Sequence, residues 1–334
     1  MFTDHGLLKM PFNVYVTREL PKAALDFLRE NTDTMDLNPD DRFLTPEEFV
    51  ANISGRDGVL CTLNNRIDAE VMDAVPTVKV FANFAVGYNN IDVHAATERK
   101  VVITNTPGVL TDATADLTWA LMLATARRVV EADEFMRSGK FKSWAPLMYL
   151  GGDVTGRTLG IVGAGRIGSA VGLRAKGFGM NVLYTTSSSR SRELEQEVSA
   201  RRVPLEELLR ESDFVSIHVP LSEDTAHLVG TRELEMMKPT AYLINTARGP
   251  IVDETALVDA LQRNVIAGAG LDVFEDEPAM KPGLAELKNV IIIPHIGSAT
   301  TGTRTKMAMM AAENLLAVLK GERPPNPVNP EVLD

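Results

Sequence analysis

Cysteine is nearly missing from this chain: one residue, Cys61 in the apolar run GVLCTL, among 334. That excludes an intrachain disulfide and any cysteine-rich metal centre, and Cys61 reads as a small buried hydrophobe. Histidine is scarce as well, with five residues, and no H-E-x-x-H, Cys/His cluster or EF-hand spacing occurs, so no metal is expected. The nucleophile elbow and the P-loop signature are also lacking. Positive charge is the minority, 34 Lys and Arg against 45 Asp and Glu, for a formal net charge of −11 and a pI near 5.1. Without a dense basic run, this balance argues against nucleic acid as a partner. Small anions are still admissible, because a local cluster can reverse the field inside a cleft. Long hydrophobic runs are absent: the most apolar helical candidate, ADLTWALMLATA, is too short to cross a bilayer. The start, MFTDHGLLKMPFN, lacks the basic opening and apolar core of a signal peptide. The expectation is a cytoplasmic protein with no membrane partner.

What is present is a globular composition, 45% hydrophobic and 24% charged, on a chain too long for one core, which rarely grows past roughly 250–300 residues. Short β-branched runs alternate with helical patterns, the signature of βαβ units and parallel sheets. The first series has strand candidates at 14–17, 58–63, 78–84 and 101–106. Helices are expected in PKAALDFLRE and in TPEEFVANI, the latter with Thr45 as N-cap. After Pro107 and Gly108 a single long helix is predicted from about Asp112 to Ser138, apolar on more than one stripe and thus available to another subunit. Arg127 and Arg128 on it read as a solvated or subunit face. An irregular arm, KFKSWAPLMYLGGDVTGR, follows. A second series has candidates at 158–163, 181–185, 213–219, 241–246, 266–273 and 289–294, six strands in the manner of a dinucleotide-binding domain. A last helix, about Thr301 to Lys320, is expected to return to the first unit. The fold class is therefore α/β with two doubly wound parallel-sheet domains. The smaller, flavodoxin-like one comprises 1–108 and 299–334; the larger, a Rossmann domain, spans 109–298 with a dimerisation helix and arm at about 112–150.

The loop GIVGAGRIG leaves a strand and opens a helix, giving Gly163-x-Gly165-x-x-Gly168. The three glycines serve a tight turn, close approach of backbone to a pyrophosphate, and close helix–strand packing. The N–H groups of Arg166 and Ile167 fall at the positive end of the helix dipole. An acid that would bond a ribose 2′-hydroxyl belongs close to Thr186. Instead, Thr186, Ser187, Ser188 and Ser189 are neutral and Arg190 and Arg192 are cations. Hydroxyls and guanidinium suit a phosphate monoester, so NADP(H) is expected to be preferred, with NAD(H) possible.

Ligands of such sheets bind beyond the carboxyl ends of the strands. Three strand ends carry chemistry: Arg248 after AYLINT; Asp272 with Glu275, Asp276 and Glu277 in LDVFEDEP; and His295 after NVIIIP. His218 follows DFVSI but reads as structural. These types suit reduction of a 2-oxo acid. A histidine protonates the developing alkoxide at neutral pH, a carboxylate stabilises the imidazolium, and an arginine grips the substrate carboxylate. Residue types alone do not rank Glu275, Asp276 and Glu277.

GAGRIG, INTARGPIVDETAL, GLDVFEDEP and PHIGSAT together resemble the D-isomer-specific 2-hydroxyacid dehydrogenases, over essentially the whole chain. The resemblance implies Arg248 as substrate-binding arginine, His295 as acid/base, Glu277 as its partner, and Asp272 as the residue holding the nicotinamide carboxamide. It further implies that backbone N–H groups around Val86 and Gly87, in NFAVGYNNID, bind the substrate carboxylate as an anion nest, with Leu63 beside them. Thr114 would face the cofactor, Val219, Pro220, Thr246 and Ala247 would line its groove, and Gly297 joins this set. The chain is closest in style to the glyoxylate and hydroxypyruvate reductases, and Trp144 resembles an aromatic on their dimer arm that reaches the pocket. The implied protein is a homodimer that reduces a small 2-oxo acid to the D-2-hydroxy acid. Broader D-lactate-type or phenylpyruvate-type turnover, or a non-enzymatic cofactor-sensing module, are the alternatives.

Overall fold

Strands buried on both faces of a parallel sheet need no alternation of polar and apolar residues, and this chain's central strands are continuous apolar runs. The computed structural model describes residues 12–40, 42–187 and 191–334. It divides the chain into two units, one made of residues up to Leu110 with Thr300–Asp334, the other of Thr111–Ala299.

In the first unit, among the described residues, five strands form one parallel sheet: β1 (Asn13–Val16), β2 (Thr34–Leu37), β3 (Gly58–Cys61), β4 (Val80–Asn83) and β5 (Val102–Thr104). Their order is β2-β1-β3-β4-β5, the flavodoxin-like winding. The strand β2, TMDL, was not anticipated. It is an edge strand with alternating exposure and pairs only with β1, so it lacks the apolar run that marks the others. Helix Pro46–Ile53 starts with the expected cap: the Thr45 side chain accepts from Glu48 N–H, and Glu48 reaches back to Thr45 N–H. The last helix, Thr301–Leu319, packs on this sheet. At Gly58 the helix comes close to the strand: a Cβ there would lie 2.8 Å from the Leu315 side chain, which would have to shift.

The second unit's strands are β6 (Thr158–Val162), β7 (Asn181–Thr185), β8 (Arg201–Arg202), β9 (Phe214–Ile217), β10 (Tyr242–Asn245), β11 (Gly268–Leu271) and β12 (Val290–Ile292). Their order among the described residues, β12-β11-β10-β9-β6-β7-β8, is that of a dinucleotide-binding sheet with one further strand at its edge. The two-residue β8, exposed and charged, was missed by pattern reading.

One expectation is corrected here. The predicted helix Asp112–Ser138 is two helices, Thr111–Ala126 and Val129–Arg137, broken where Arg128 takes φ 53°, ψ 38°. The left-handed residue is held by one local and one tertiary contact: its guanidinium pairs with Glu131, three residues on, at 2.7 Å and lies over the Tyr149 ring. The apolar stripes of the first helix are buried within its own unit, through Ala115, Trp119, Leu121 and Met122. Trp119 stacks on Phe178 and its indole N–H donates to Val171 O. The exposed apolar surface lies further on, at Val129, Val130 and Met136 and along the arm.

Candidate active site

The glycine loop follows from close packing. Gly163 has φ 100°, and a Cβ on it would come within 2.8 Å of the His218 carbonyl and of Val219. Gly168 lies under it: a Cβ there would be 2.0 Å from Gly163 O. At Gly165 a Cβ would meet open space. Gly165 is the N-cap of helix Arg166–Arg174 and makes no side-chain cap, so the first N–H groups of that helix, including those of Arg166 and Ile167, have no intrahelical partner. The set fits a pyrophosphate: backbone donors, a dipole end, and room where a side chain would intrude. His218 accepts or donates one bond, Ser216 Oγ to Nε2 at 2.8 Å. Burial pushes its pKa down to about 3, so it is a neutral strut beside the loop and no proton donor.

Beyond β7, Thr186 O accepts from Arg202 Nη2 at 2.8 Å, and Ser187 is exposed. Ser188 and Arg190 lie outside the described residues. Arg202, on the short β8, is a cation beside Thr186 that sequence reading overlooked; the doublet RRV after SA was its only signal, and the strand was too short to be recognised.

Further groups converge at the ends of β10, β11 and β12. Thr246 Oγ1 and Thr118 Oγ1 are 2.9 Å apart, and Thr118 also bonds Thr114 O. A Cβ on Gly297 would lie 3.1 Å from Asp272 Oδ2 and 3.4 Å from Thr114, so Thr114, Asp272 and Gly297 share one corner. Ala247 N–H donates to Asn245 Oδ1, and Asn245 in turn donates to Arg248 O, which fixes the turn carrying Arg248. Val219 and Pro220 follow β9; the Val219 side chain fills the space a Cβ on Gly163 would need, and Pro220 O accepts from Thr225.

His295 has φ 51°, a left-handed backbone that costs a non-glycine residue about 1–3 kcal/mol. The turn is held by Asp272. Its carbonyl accepts from His295 N–H at 2.9 Å, and its two carboxylate oxygens accept from Ile296 N–H at 2.6 Å and Gly297 N–H at 2.8 Å. Burial pushes the Asp272 carboxyl up to about 6, against these backbone bonds and His295, which favour the ionised form.

The His295 ring then faces Glu277, with Nδ1 to Oε2 at 3.0 Å. A carboxylate can only accept, so Nδ1 carries the proton and Nε2 is the end available for chemistry. Glu277 Oε1 accepts from Phe274 N–H at 3.0 Å. Burial alone would raise the Glu277 carboxyl, yet the bond and charge of His295, with help from Phe274 N–H and Arg248, hold it below the usual carboxylate range. Arg248 is part-buried and donates to Ala247 O; burial lowers its pKa and the Glu277 charge opposes that. Glu275 and Asp276 do not meet His295: Glu275 bonds His227 and Glu254 N–H, and Asp276 pairs with Lys281.

A half-buried carboxylate, an oriented imidazole and a guanidinium lie in the same unit, and on the same sheet, as a dinucleotide loop, the parts an oxidoreductase needs. Residues 119–297 match the family model "D-isomer specific 2-hydroxyacid dehydrogenase, NAD binding domain". The chain belongs to the D-isomer-specific 2-hydroxyacid dehydrogenases. It is 52% identical over 324 residues to the glyoxylate reductase of Thermococcus gammatolerans, covering 96% of each chain. Its fold matches the crystal structure of the TT0316 protein from Thermus thermophilus (TM-score 0.88, 48% identity, 95% of this chain and 99% of that one). It also matches an NADPH-dependent glyoxylate/hydroxypyruvate reductase from Sinorhizobium meliloti in complex with NADP and malonate (TM-score 0.81, 32% identity, 96% and 97%). As a member of this family, the dehydrogenase uses a nicotinamide cofactor and reduces small 2-oxo acids.

In the first unit, Val86 O accepts from Asn105 and Gly87 O from Asn83. The N–H groups of Val86 and Gly87 have no partner among the described residues. Leu63 is part-buried just after β3. Trp144 stands on the arm, 76% exposed, with Leu147 80% exposed nearby in sequence. Among the described residues no group of three or more His, Cys, Asp or Glu could hold a metal ion, and no helix is long and apolar enough to cross a membrane.

Proposed function

We propose that this dehydrogenase is an NADPH-preferring reductase of glyoxylate and hydroxypyruvate, with His295, Glu277 and Arg248 as its catalytic groups. The observation that carries the reading is the His295–Glu277 pair at 3.0 Å, with the Arg248 charge acting on the same carboxylate. A reduced nicotinamide dinucleotide held by the Gly163–Gly168 loop and the Thr114, Asp272 and Gly297 corner would supply the hydride for the carbonyl carbon. His295 Nε2 gives its proton to the carbonyl oxygen as negative charge develops there, and Glu277 stabilises the imidazolium before transfer. Arg248 grips the substrate carboxylate with its fork. In the first unit, the N–H groups of Val86 and Gly87, without a partner among the described residues, support their assignment as binders of a small carboxylate, and Leu63 is assigned with them.

Support for the cofactor preference comes from Thr186 and Ser187, which bring no carboxylate, and from Arg202, which brings a cation. Ser188 and Arg190 are assigned to the 2′-phosphate from sequence alone. The Sinorhizobium relative, solved with NADP, agrees with this preference. Thr114, Thr246, Ala247, Asp272, Gly297, Val219 and Pro220 are assigned to the nicotinamide side. The exposed apolar residues of the arm and of helix Val129–Arg137 support a homodimer, since solvent-facing patches of this kind mark interfaces, with Trp144 reaching a pocket from the arm.

The deciding experiment is His295→Ala assayed for glyoxylate reduction with NADPH and with NADH. Loss of a general acid should lower kcat by about 10²- to 10⁴-fold with either cofactor; wild-type kcat removes His295 from the mechanism. A substrate panel that prefers lactate's or phenylalanine's 2-oxo acid would replace the glyoxylate assignment.

A further inference from the structure

The segment that carries Glu277 is a loop beyond the end of β11 and not a strand, so something other than the sheet must hold it. The holder is a second buried carboxylate, Glu254, 27 positions before Lys281 and only 4% exposed. It is the first residue of helix Glu254–Gln262. Its Oε2 accepts from Glu275 N–H at 2.8 Å and its Oε1 from Lys281 N–H at 2.7 Å. These two donors bracket Glu277. The clamp is reciprocal, because Glu275 Oε2 accepts from Glu254 N–H at 3.2 Å. A close backbone contact backs the clamp. A Cβ on Gly249, the residue after Arg248, would lie 1.9 Å from the Phe274 carbonyl and 2.4 Å from Glu275 N. The peptide held by Glu254 therefore rests directly on the turn of Arg248, and its neighbour Phe274 N–H is the donor to Glu277 Oε1.

We infer that Glu254 is a positioning residue for the acid/base pair: by fixing both ends of the 275–281 segment it sets where Glu277 meets His295. This rests on the roles given to His295 and Glu277 above. The chain of contacts runs from the Glu254 carboxylate to the Phe274–Glu275 peptide, from Phe274 N–H to Glu277, and from Glu277 to the imidazole. In the assigned reaction only its last member, His295, acts on the substrate, and Glu254 acts through the others. Outside the clamp, His227, Lys281 and Asp276 face Glu275 or its neighbours. At the far end, Glu277 and Asp272 face His295, with Arg248 acting through Glu277.

Glu254→Gln tests the assignment. An amide has one acceptor, so its NH₂ must confront one of the two backbone N–H groups, and the segment shifts. With the fold checked by circular dichroism, two changes are expected. The kcat for 2-oxo acid reduction falls about 10- to 100-fold, as small misplacements near a reacting centre do, while the KM for the nicotinamide cofactor stays put. In addition, the basic limb of the pH–rate profile moves to lower pH, because a poorly placed Glu277 stabilises the imidazolium less. The same displacement is expected in the His295 imidazole titration followed by ¹⁵N NMR, its resonance identified by its loss in His295→Asn. A Glu254→Gln protein with the wild-type titration midpoint overturns the proposal, whatever its kcat, because a purely structural glutamate would lower activity without moving that midpoint. Should Glu254→Gln not fold, Glu254→Asp decides, keeping both acceptors but one methylene short of the two donors; an unmoved midpoint there overturns the proposal equally. The titration needs no turnover, so a failure of the assigned reaction and a failure of the Glu254 role are read separately.

Discussion

Replacing Glu277 by glutamine removes one negative charge and preserves volume, which makes its consequences calculable. Glu277 now accepts two bonds, from His295 Nδ1 at 3.0 Å and from Phe274 N–H at 3.0 Å. A glutamine that keeps its oxygen on Phe274 N–H turns its NH₂ toward the imidazole, and a protonated Nδ1 then has no acceptor. The side chains of the pair are 26% and 24% exposed, so solvent screening is modest. A hydrogen bond involving a charged group contributes about 1.5–3 kcal/mol, and one pKa unit is about 1.4 kcal/mol. A loss of that size at the proton donor should therefore reduce kcat/KM at neutral pH and above about 10- to 100-fold and draw the basic limb of the reduction profile to lower pH. The sign for the carboxylate is separate. Its pKa is held below the usual range, so in the wild type the pair's contribution is complete above the ordinary carboxylate pKa and is lost as the pH falls through the lowered value. The variant and the wild type should accordingly converge in stability at acid pH. The assay is initial rate against pH with glyoxylate and NADPH, beside thermal unfolding at the same pH values. A basic limb that does not move in an active Glu277→Gln enzyme would refute the reasoning, because it would mean the carboxylate does not see the proton that matters.

Two further expectations concern the cofactor and the assembly. Thr186→Asp places a carboxylate where a ribose 2′-hydroxyl is read and where a 2′-phosphate would be repelled. It should raise KM for NADPH while lowering it for NADH, and Arg202→Ala should raise the NADPH value alone; equal effects on both cofactors in either variant remove the 2′-phosphate assignment. Leu147→Asp puts a charge on a side chain that is 80% exposed; it should convert a dimer to a monomer by light scattering with little change in unfolding temperature, and a wild-type monomer at the same concentration refutes the arm's role.

Much of this architecture is legible without coordinates because parallel strands are buried on both faces. GVLC, TLGIV and FVSI are apolar but for one hydroxyl each in the last two, Thr158 and Ser216, and their termini mark the strand ends where chemistry gathers. The edges of the sheets are not legible in this way. TMDL alternates between exposed and half-buried, and Arg201–Arg202 is exposed throughout, so nothing in composition separates them from loops. The break at Arg128 was hidden for another reason. Neither glycine nor proline announces it, and beside the local Glu131 pair the left-handed residue is held under Tyr149, 21 positions on, a contact that exists only after folding. The same holds within the site. His295, Arg248 and the acids after β11 stand out as charged residues at strand ends, whereas the choice of Glu277 from Glu275 and Asp276 depends on how the loop turns. Glu254 could not be found by residue type, since it acts through backbone N–H groups 21 and 27 residues away.

The order of strands explains why the reactive groups need so different an amount of support. Strands β10, β11 and β12 are consecutive neighbours, with Asn245 opposite Leu271 and Leu271 opposite Ile292. The residues just beyond these pairs, Arg248, Asp272 and His295, are therefore delivered to one edge of the sheet by the ladder itself. Asp272 can reach the Ile296 and Gly297 N–H groups because it belongs to the strand beside theirs, and that single carboxylate suffices to hold a histidine in a left-handed turn. Glu277 has no such advantage. It lies five residues past Asp272, beyond the reach of the ladder, and must come back to meet a ring that the sheet has already placed. A returning loop has two free ends to fix, and each of its anchors here is a backbone N–H held by a buried acid. Substitutions among those anchors should thus act on the acid/base pair while leaving the dinucleotide loop, at β6 on the far side of β9, unchanged.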